Sequence, residues 1–218
     1  MIQPLYAVFG ASGCGRGIMP LARLQLQAMG LPLSRLVFID DQPPAERLNG
    51  HAVLTWADFL AEPASQRSVV IAIANSTVRE KLAARLVANE VHAWAVAASQ
   101  VVCMDAVTIG EGAILSPFVT LTSNIRIGRH FHANLYSYVE HDCLIGDFVT
   151  FAPGVKCNGN VHIEDHAYIG TGAILRQGTP DKPLVIGRGA VVGMGAVVTK
   201  DVPAGVTVVG NPARPLVR

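Results

Sequence analysis

The sequence is poor in charge, and its few charged residues nearly balance. Only 15% of its 218 residues are charged while 50% are hydrophobic, a composition that excludes a disordered or purely solvating role. The formal net charge of +1 gives no reason to expect nucleic acid or an anionic membrane surface as a partner. The length suffices for one large domain or two modest ones, each with its own core.

Targeting and membrane signals are also missing. No stretch approaches the roughly 18 apolar residues of a spanning helix. The amino terminus, MIQPLYAVFGASG, lacks a cationic segment, and its short apolar run ends in glycines, which is typical of a first strand. The four cysteines (Cys14, Cys103, Cys143 and Cys157) show no paired spacing, which favours a reducing compartment. We therefore predict a cytoplasmic protein without membrane contact.

Residues 1–96 have the pattern of an α/β unit. The strand LYAVFG leads into the glycine turn GASGCG and then into an amphipathic stretch over residues 16–29. A second strand, LVFI, ends at Asp40-Asp41, and a third, SVVIAIA, precedes the helical stretch STVREKLAARLVANE. This order predicts a Rossmann-like nucleotide-binding domain, with its ligand at the carboxyl ends of the strands.

Residues 97–218 follow a period of six. An aliphatic or similar residue recurs at every sixth position, glycine often follows it, and a small or β-branched residue usually stands four positions after it. The recurring positions are Cys103, Ile109, Leu115, Leu121, Ile127, Ala133, Val139, Ile145, Phe151, Cys157, Ile163, Ile169 and Leu175, then, after a short insertion, Ile186, Val192 and Val198. Such repeats stack flat strands, so we predict an all-β left-handed parallel β-helix with three hexads in each of about five coils.

The hexads resemble those of the left-handed β-helix acyltransferases. The full layout, with GASGCGR, IDD and AIAN after successive strands, VEHDCLIG in the repeats and GNPARPL at the end, narrows the resemblance. It is similar to the nucleotide-sugar acetyltransferases that make N-acetylbacillosamine-type sugars and to their relatives that O-acetylate sialic acid. The resemblance spans essentially the whole chain. It implies acetyl-CoA as co-substrate, a UDP-linked amino sugar as acceptor, and a homotrimer.

A polar triplet, Glu140-His141-Asp142, interrupts the hexads. Because Val139 is an inward position, the triplet falls on the following turn, where side chains project outward. An imidazole there can take a proton from an amine or a hydroxyl at neutral pH. The resemblance assigns His141 as general base and Asp142 as the carboxylate that supports it, where relatives more often have the longer glutamate. On the residues alone, an ordinary polar corner remains the alternative.

The glycine turn is not the dinucleotide motif G-x-G-x-x-G, because Ser12 stands at the place of the second glycine. NAD is therefore disfavoured, although the turn amides and the helix start suit a diphosphate, and a tight turn without a ligand remains open. By resemblance, the residues that contact the nucleotide sugar are Ser12, Gly13 and Cys14 in the turn, Asp40 and Asp41 at its uridine, and Ala74 in the pocket wall. Relatives often have histidine and glycine at the positions of Cys14 and Ala74. A nucleophilic Cys14 is disfavoured because transfer in the family is direct.

The same resemblance places acetyl-CoA in the groove between adjacent β-helices. Thr150, Thr171 and Met194 are expected along that groove, and the amide of Gly159 is expected to donate to the thioester oxygen. Some relatives have histidine at the position of Thr150. No metal is expected.

The expected reaction is the transfer of acetyl from acetyl-CoA to the 4-amino group of a UDP-linked 4-amino-4,6-dideoxy sugar. Its alternative is O-acetylation of a sugar hydroxyl, as in sialic acid. A zinc-dependent trimer similar to carbonic anhydrase is less favoured, because hexad periodicity does not put His162 and His166 on one face. A non-catalytic nucleotide-sugar-binding scaffold is the third alternative.

Overall fold

The computed structural model describes residues 2–216. The chain divides into two compact units, Met1–Ala98 and Ser99–Arg218, so the division lies two residues beyond the expected one. Across the described residues, no helix combines the length and apolar character needed to cross a bilayer.

The first unit is a mainly parallel sheet with helices. Its strands are β1 (Leu5–Phe9), β2 (Leu36–Ile39), β3 (Arg47–Leu48), β4 (His51–Leu54), β5 (Arg67–Ile71) and β6 (His92–Ala93), followed by β7 (Val96–Ala97). Its helices are α1 (Gly13–Ala28), α2 (Trp56–Ala61) and α3 (Ser76–Ala88), and a 3₁₀ turn spans Leu33–Arg35. The spatial order is β3-β4-β2-β1-β5-β6, and only the pairing of β3 with β4 is antiparallel.

This strand order determines where a ligand can bind. The chain moves outward from β1 to β2 on one side and to β5 on the other, so the order reverses between β1 and β5. Ligands of open parallel sheets bind outside the carboxyl ends of the strands at such a reversal. The glycine turn follows β1 and residues 72–75 follow β5, so both border this crevice.

The β3–β4 hairpin and α2 were not predicted from the sequence. Asn49 and Gly50 join the two strands with φ of 47° and 85°, the conformation that an Asn-Gly turn adopts in tight hairpins. The Asn-Gly pair was therefore a usable signal. Helix α2 spans only six residues, too few to show a helical period, and the Thr55 side chain caps it by accepting from the Asp58 N–H.

The second unit is a parallel β-helix with three faces. Its strands are β8 (Val102–Cys103), β9 (Val107–Ile109), β10 (Ile114–Leu115), β11 (Thr120–Leu121), β12 (Ile125–Ile127), β13 (His132–Ala133), β14 (Tyr138–Val139), β15 (Leu144–Ile145), β16 (Thr150–Phe151), β17 (Lys156–Cys157), β18 (Val161–Ile163), β19 (Tyr168–Ile169), β20 (Ile174–Leu175), β21 (Leu184–Ile186), β22 (Val191–Val192), β23 (Val197–Val198), β24 (Thr207–Val209) and β25 (Arg214–Pro215). One face runs β8-β11-β14-β17-β20-β23, the next β9-β12-β15-β18-β21, and the third contains β10-β13-β16-β19-β22-β24-β25.

Each coil contains three hexads. Leu121 pairs with Val139, and Val139 pairs with Cys157, one coil further on. The inward side chains of successive coils form one buried cluster. Cys103 and Ile109, which were expected to point into this core, are exposed, because β8 and β9 are the edge strands of their faces.

The glycines that follow the aliphatic positions have a steric cause. A Cβ on Gly128 would lie 2.4 Å from Asp147 Oδ1 and 2.7 Å from the Asp147 nitrogen. Real Cβ atoms do not approach other heavy atoms so closely, so the next coil leaves room only for glycine.

The turns between faces form three columns, which we call corners A, B and C. Corner A contains the turns at 105–106, 123–124, 141–142 and 159–160; corner B contains 111–112, 129–130, 147–148, 165–166 and 188–189; corner C contains 117–118, 135–136, 153–154, 171–172 and 194–195. In each column, backbone N–H groups donate to the carbonyl of the previous turn, as Asn160 does to His141. Functional residues at different corners therefore lie along different edges of the prism.

Candidate active site

His141 and Asp142 form a contact pair at corner A. His141 Nδ1 lies 2.8 Å from Asp142 Oδ2, and both side chains are roughly half exposed. A carboxylate accepts from Nδ1–H, which leaves the lone pair of Nε2 free to act as a base. Asp142 has a φ of 59°, a left-handed conformation that aspartate tolerates better than most residues. The shorter aspartate therefore reaches the ring.

The His141 ring lies against Gly159 of the next coil. A Cβ on Gly159 would be 2.6 Å from both Cε1 and Nε2 of His141, so only glycine leaves room for the ring. The Asn160 N–H donates to the His141 carbonyl at 2.9 Å. Within residues 2–216, the Gly159 N–H has no acceptor. Corner A thus brings together His141 and Gly159, the residues predicted from the sequence as general base and amide donor.

A hydrogen-bonded bridge holds the backbone beside Gly159. Tyr138 OH donates to Asn158 Oδ1 at 2.9 Å, and Asn158 Nδ2 donates to the Leu175 carbonyl at 2.8 Å. Desolvation, followed by the charge of Glu140, raises the pKa of Tyr138, which keeps the phenol protonated as a donor. The sequence did not predict this bridge, because it joins the side chains of Tyr138 and Asn158 to the main-chain carbonyl of Leu175 across three different coils.

An open groove of about 300 Å³ lies on the same face. It is lined by Phe118, Thr120, Thr122, Tyr136, Ser137, Tyr138 and Glu140. Phe118 and Tyr136 are exposed at corner C, with stacked rings 4.8 Å apart. The groove therefore combines an aromatic wall with a carboxylate next to His141 in the chain.

Of the residues predicted to contact acetyl-CoA, only Gly159 is at corner A; Thr150, Thr171 and Met194 are not. Thr171 and Met194 are neighbours at corner C, where the Gly195 N–H donates to the Thr171 carbonyl at 2.8 Å. Met194 is 82% exposed. Thr150 is buried on β16, the strand that leads into corner C. Within one chain, the structure separates these residues from His141 onto different edges of the prism.

Asp40 connects the glycine turn to the end of β2. Its carboxylate accepts from the Ala11 N–H and from the Gln42 N–H, each at 3.0 Å. Ser12 precedes α1 without a side-chain cap, so Gly13 and Cys14 open the helix at the carboxyl edge of the sheet. Both are exposed there, as a diphosphate would require. Asp40 thus has a structural role in the turn that the sequence did not reveal.

Asp41 lies in an ion pair. Arg85 Nη1 contacts its two carboxylate oxygens at 3.1 and 3.0 Å. The Arg85 guanidinium lies 4.6 Å from the centre of the Trp56 ring. The Asp41 side chain is 55% exposed, so it keeps accessible acceptor capacity.

Cys14 and Ala74 are exposed at the predicted substrate edge. Desolvation raises the pKa of Cys14, and the positive charge of Arg79 opposes the rise only in part. A raised pKa keeps the thiol protonated at neutral pH, which argues against a nucleophilic role. Arg79 itself is fully buried and donates to the carbonyls of Ile73 and Ala74 at 2.7 and 3.2 Å. Arg79 was not among the site residues predicted from the sequence.

The other histidines of the β-helix do not belong to the His141–Asp142 pair. His130, Phe148 and His166 stack along corner B, with successive ring centroids 5.3 Å apart. His162 lies on β18, away from that column. Over the part of the chain that the structure describes, no group of three or more His, Cys, Asp or Glu side chains could hold a metal.

Residues 6–86 match the family described as the PglD N-terminal domain. GDP-perosamine N-acetyltransferase of Escherichia coli O157:H7 is 50% identical over 214 residues, which cover 98% of this chain and 97% of that enzyme.

Solved structures also match over nearly the full chain. WeeI from Acinetobacter baumannii AYE matches with a TM-score of 0.95 and 61% identity, over 98% of this chain and 100% of that one. The acetyltransferase domain of PglB from Neisseria gonorrhoeae FA1090, in complex with acetyl coenzyme A, matches with a TM-score of 0.86 and 29% identity, over 98% and 100%. The predicted fold, a Rossmann-like unit followed by a left-handed parallel β-helix, is confirmed. The chain belongs to the hexapeptide-repeat sugar N-acetyltransferase family and is an acetyl-CoA-dependent nucleotide-sugar N-acetyltransferase.

Proposed function

We propose that the acceptor is the 4-amino group of a nucleotide-linked 4-amino-4,6-dideoxyhexose and that His141 is the general base. The observation that carries this proposal is the His141–Asp142 pair, 2.8 Å apart and solvent-accessible, in a chain that is half identical to an amino-sugar N-acetyltransferase. Family membership favours an amine over a sugar hydroxyl as the acceptor, and a catalyst over a passive scaffold.

The proposed reaction is direct transfer. The neutral amine attacks the thioester carbonyl carbon while His141 Nε2 takes a proton from the nitrogen, and Asp142 stabilises the resulting imidazolium through Nδ1–H. The Gly159 N–H donates to the oxygen that becomes negative in the tetrahedral intermediate. The intermediate collapses as the carbon–sulfur bond breaks, and the His141 imidazolium returns its proton to the CoA sulfur, which leaves as the thiol. No covalent acyl-enzyme is formed.

Two identities, uridine and guanosine, are supported for the nucleoside of the acceptor. The motif layout of the chain resembles enzymes that use UDP-linked sugars, whereas the relative with 50% identity is a GDP-perosamine N-acetyltransferase. In either case, the start of α1 would bind the diphosphate and Asp40 and Asp41 would border the nucleoside. We assign Ser12, Gly13, Cys14 and Ala74 to the sugar-diphosphate side of this site.

The site is proposed to be shared between subunits of a cytoplasmic homotrimer. His141 and Gly159 lie at corner A, while Thr171 and Met194 lie at corner C of the same chain. Packing corner A of one subunit beside corner C of the next would complete the groove for acetyl-CoA, with Thr150 behind it. Such a cyclic arrangement gives three equivalent sites.

The test is the release of CoA in the presence of defined acceptors. Purified protein is assayed with acetyl-CoA and UDP-4-amino-4,6-dideoxy-N-acetylglucosamine, GDP-perosamine or a sialic acid, and products are identified by mass spectrometry. We expect a single acetyl group on the 4-amino nitrogen of one nucleotide sugar, with kcat/KM at least about tenfold above that for the other. Faster acetylation of sialic acid, or no turnover with either nucleotide sugar, would contradict the proposal.

A further inference from the structure

Arg79 is a buried cation at the ligand edge of the first unit. It lies in the first turn of α3 and has 0% relative exposure, which makes it the largest fully buried side chain in the described chain. Burying a guanidinium is unfavourable unless hydrogen bonds compensate for the lost hydration. An apolar residue would fill the same space at lower cost, so the cation calls for a specific explanation.

The hydrogen bonds of Arg79 hold the turn that follows β5. Its Nη1 donates to the carbonyls of Ile73 and Ala74, and the Asn75 side chain accepts from the Val78 N–H at the start of α3. These contacts fix the direction of the main chain through residues 73–75. That turn forms one wall of the crevice between β1 and β5.

The same turn packs against the glycine turn on the other wall. A Cβ on Gly10 would lie 2.8 Å from Ile73 Cδ1 and 3.2 Å from the Ala72 carbonyl oxygen. Gly10 has a φ of 110°, so its position permits essentially no other residue. The guanidinium, the turn after β5 and the glycine turn are thus connected by direct contacts.

The charge of Arg79 also acts at this edge. Desolvation lowers its pKa to about 10, so the guanidinium remains protonated at neutral pH. Its positive charge lowers the pKa of Cys14, in the first turn of α1, and so partly opposes the rise that desolvation causes. The N-terminal end of α1 adds the positive end of its helix dipole. A negative ligand at the glycine turn would be attracted by both the Arg79 charge and the N-terminal end of α1.

We propose that Arg79 is a positioning residue of the nucleotide-sugar site: it holds the turn after β5 against the glycine turn and supplies positive charge beneath the diphosphate. This inference rests on the proposed function, because it requires a nucleoside diphosphate sugar at the first unit. Arg79 touches neither reacting atom and acts through the backbone at Ile73 and Ala74.

The chain offers a matched control in Arg67. This arginine begins β5, at the opposite edge of the sheet, and also donates to main-chain carbonyls, those of Phe59, Leu60 and Glu62. Arg67→Lys therefore removes the same kind of interaction at a place remote from the crevice. Any general loss of stability should affect both arginines, whereas a loss of nucleotide affinity should follow Arg79 alone.

The experiment compares Arg79→Lys, Arg79→Gln and Arg67→Lys with the wild type. Binding of UDP, GDP and CoA is measured by calorimetry, together with kcat, both KM values and thermal unfolding. We expect Arg79→Lys to weaken binding of the nucleoside diphosphate by about tenfold, because a displaced turn loses about one hydrogen bond to the charged ligand, and Arg79→Gln to weaken it further, because the positive charge is lost as well. CoA affinity, the KM for acetyl-CoA and kcat at saturating nucleotide sugar should stay within about twofold in all variants.

Two results would overturn the proposal. One is unchanged nucleotide affinity in folded Arg79 variants, and the other is an equal loss of affinity in Arg67→Lys. If neither Arg79 variant folds, the Arg79 Nε–H resonance of the wild type is followed by NMR during titration with UDP or GDP; it should shift while that of Arg67 does not, and a static Arg79 signal refutes the proposal. A wild type that binds neither nucleotide but acetylates another acceptor would instead refute the proposed function.

Discussion

The catalytic hypothesis rests on the side chains of His141 and Asp142 at corner A. His141→Ala should lower kcat by about 10²-fold or more, because general-base catalysis contributes at least that much. Asp142→Asn should lower kcat by a smaller factor, because the amide oxygen can still accept from Nδ1–H although the charge is lost. Steady-state kinetics with both substrates tests this, and the KM for acetyl-CoA should stay nearly constant. Wild-type turnover in His141→Ala would contradict the mechanism.

The backbone at residue 142 determines which substitution is informative. With a φ of 59°, Asp142→Ala would add backbone strain to the loss of the carboxylate, whereas asparagine accepts this conformation readily. Asn124 has a φ of 58° at the preceding turn of corner A, so Asn124→Ala is a matched control for that strain. A large kinetic effect of Asn124→Ala would show that corner geometry, and not the carboxylate, was being measured.

Gly159 is also expected to be sensitive to substitution, although less so than His141. A Cβ at this position would lie 2.6 Å from His141 Nε2, so Gly159→Ala must displace the ring or the coil. We expect kcat to fall by about tenfold or more, since small misplacements of reacting groups are costly, with little change in the KM for the nucleotide sugar. Gly146→Ala is the control, because its Cβ would crowd Asp165 of the next coil and not His141. Equal kcat values for the two variants would refute a positioning role for Gly159.

At the scale of elements, the repeats were predictable because each inward position has the same environment. Leu121, Val139 and Cys157 occupy one column, so the period of six in the sequence is the period of the core. The strands of the first unit were readable for a similar reason. All four residues of Leu36–Ile39 are buried, which is why they form a continuous apolar run.

The contacts that complete the site were not predictable from such patterns. The Asp41–Arg85 pair spans 44 residues and joins the end of β2 to α3. The position of the His141 ring over Gly159 depends on stacking between coils, which a single hexad does not encode. Arg79 appeared in the sequence as an ordinary charged residue of a helical stretch. Its burial follows from the turn it supports and not from the periodicity of α3.

At the scale of the whole molecule, the separation of corners A and C is the main constraint. His141 lies on one edge of the prism and Thr171 and Met194 on another, so a single chain does not assemble both halves of the proposed site. A cyclic trimer would do so three times. Its mass is three times 23.1 kDa, about 69 kDa, which sedimentation can verify. A stable, fully active monomer would contradict a shared site.

Subunit mixing tests the shared site directly. His141→Ala removes the base from corner A and leaves corner C intact, whereas Thr171→Arg is designed to block the acetyl-CoA groove at corner C and to leave corner A intact. Each variant alone should be nearly inactive. Co-expressed with two different affinity tags and purified for both, mixed trimers should regain activity, because some interfaces combine an intact corner A with an intact corner C. Every mixed trimer has one such interface among its three, so about one third of the sites in the doubly purified sample should be restored. If base and cofactor residues acted within one chain, no mixed trimer could contain an intact site, and activity would stay at the level of the separate variants.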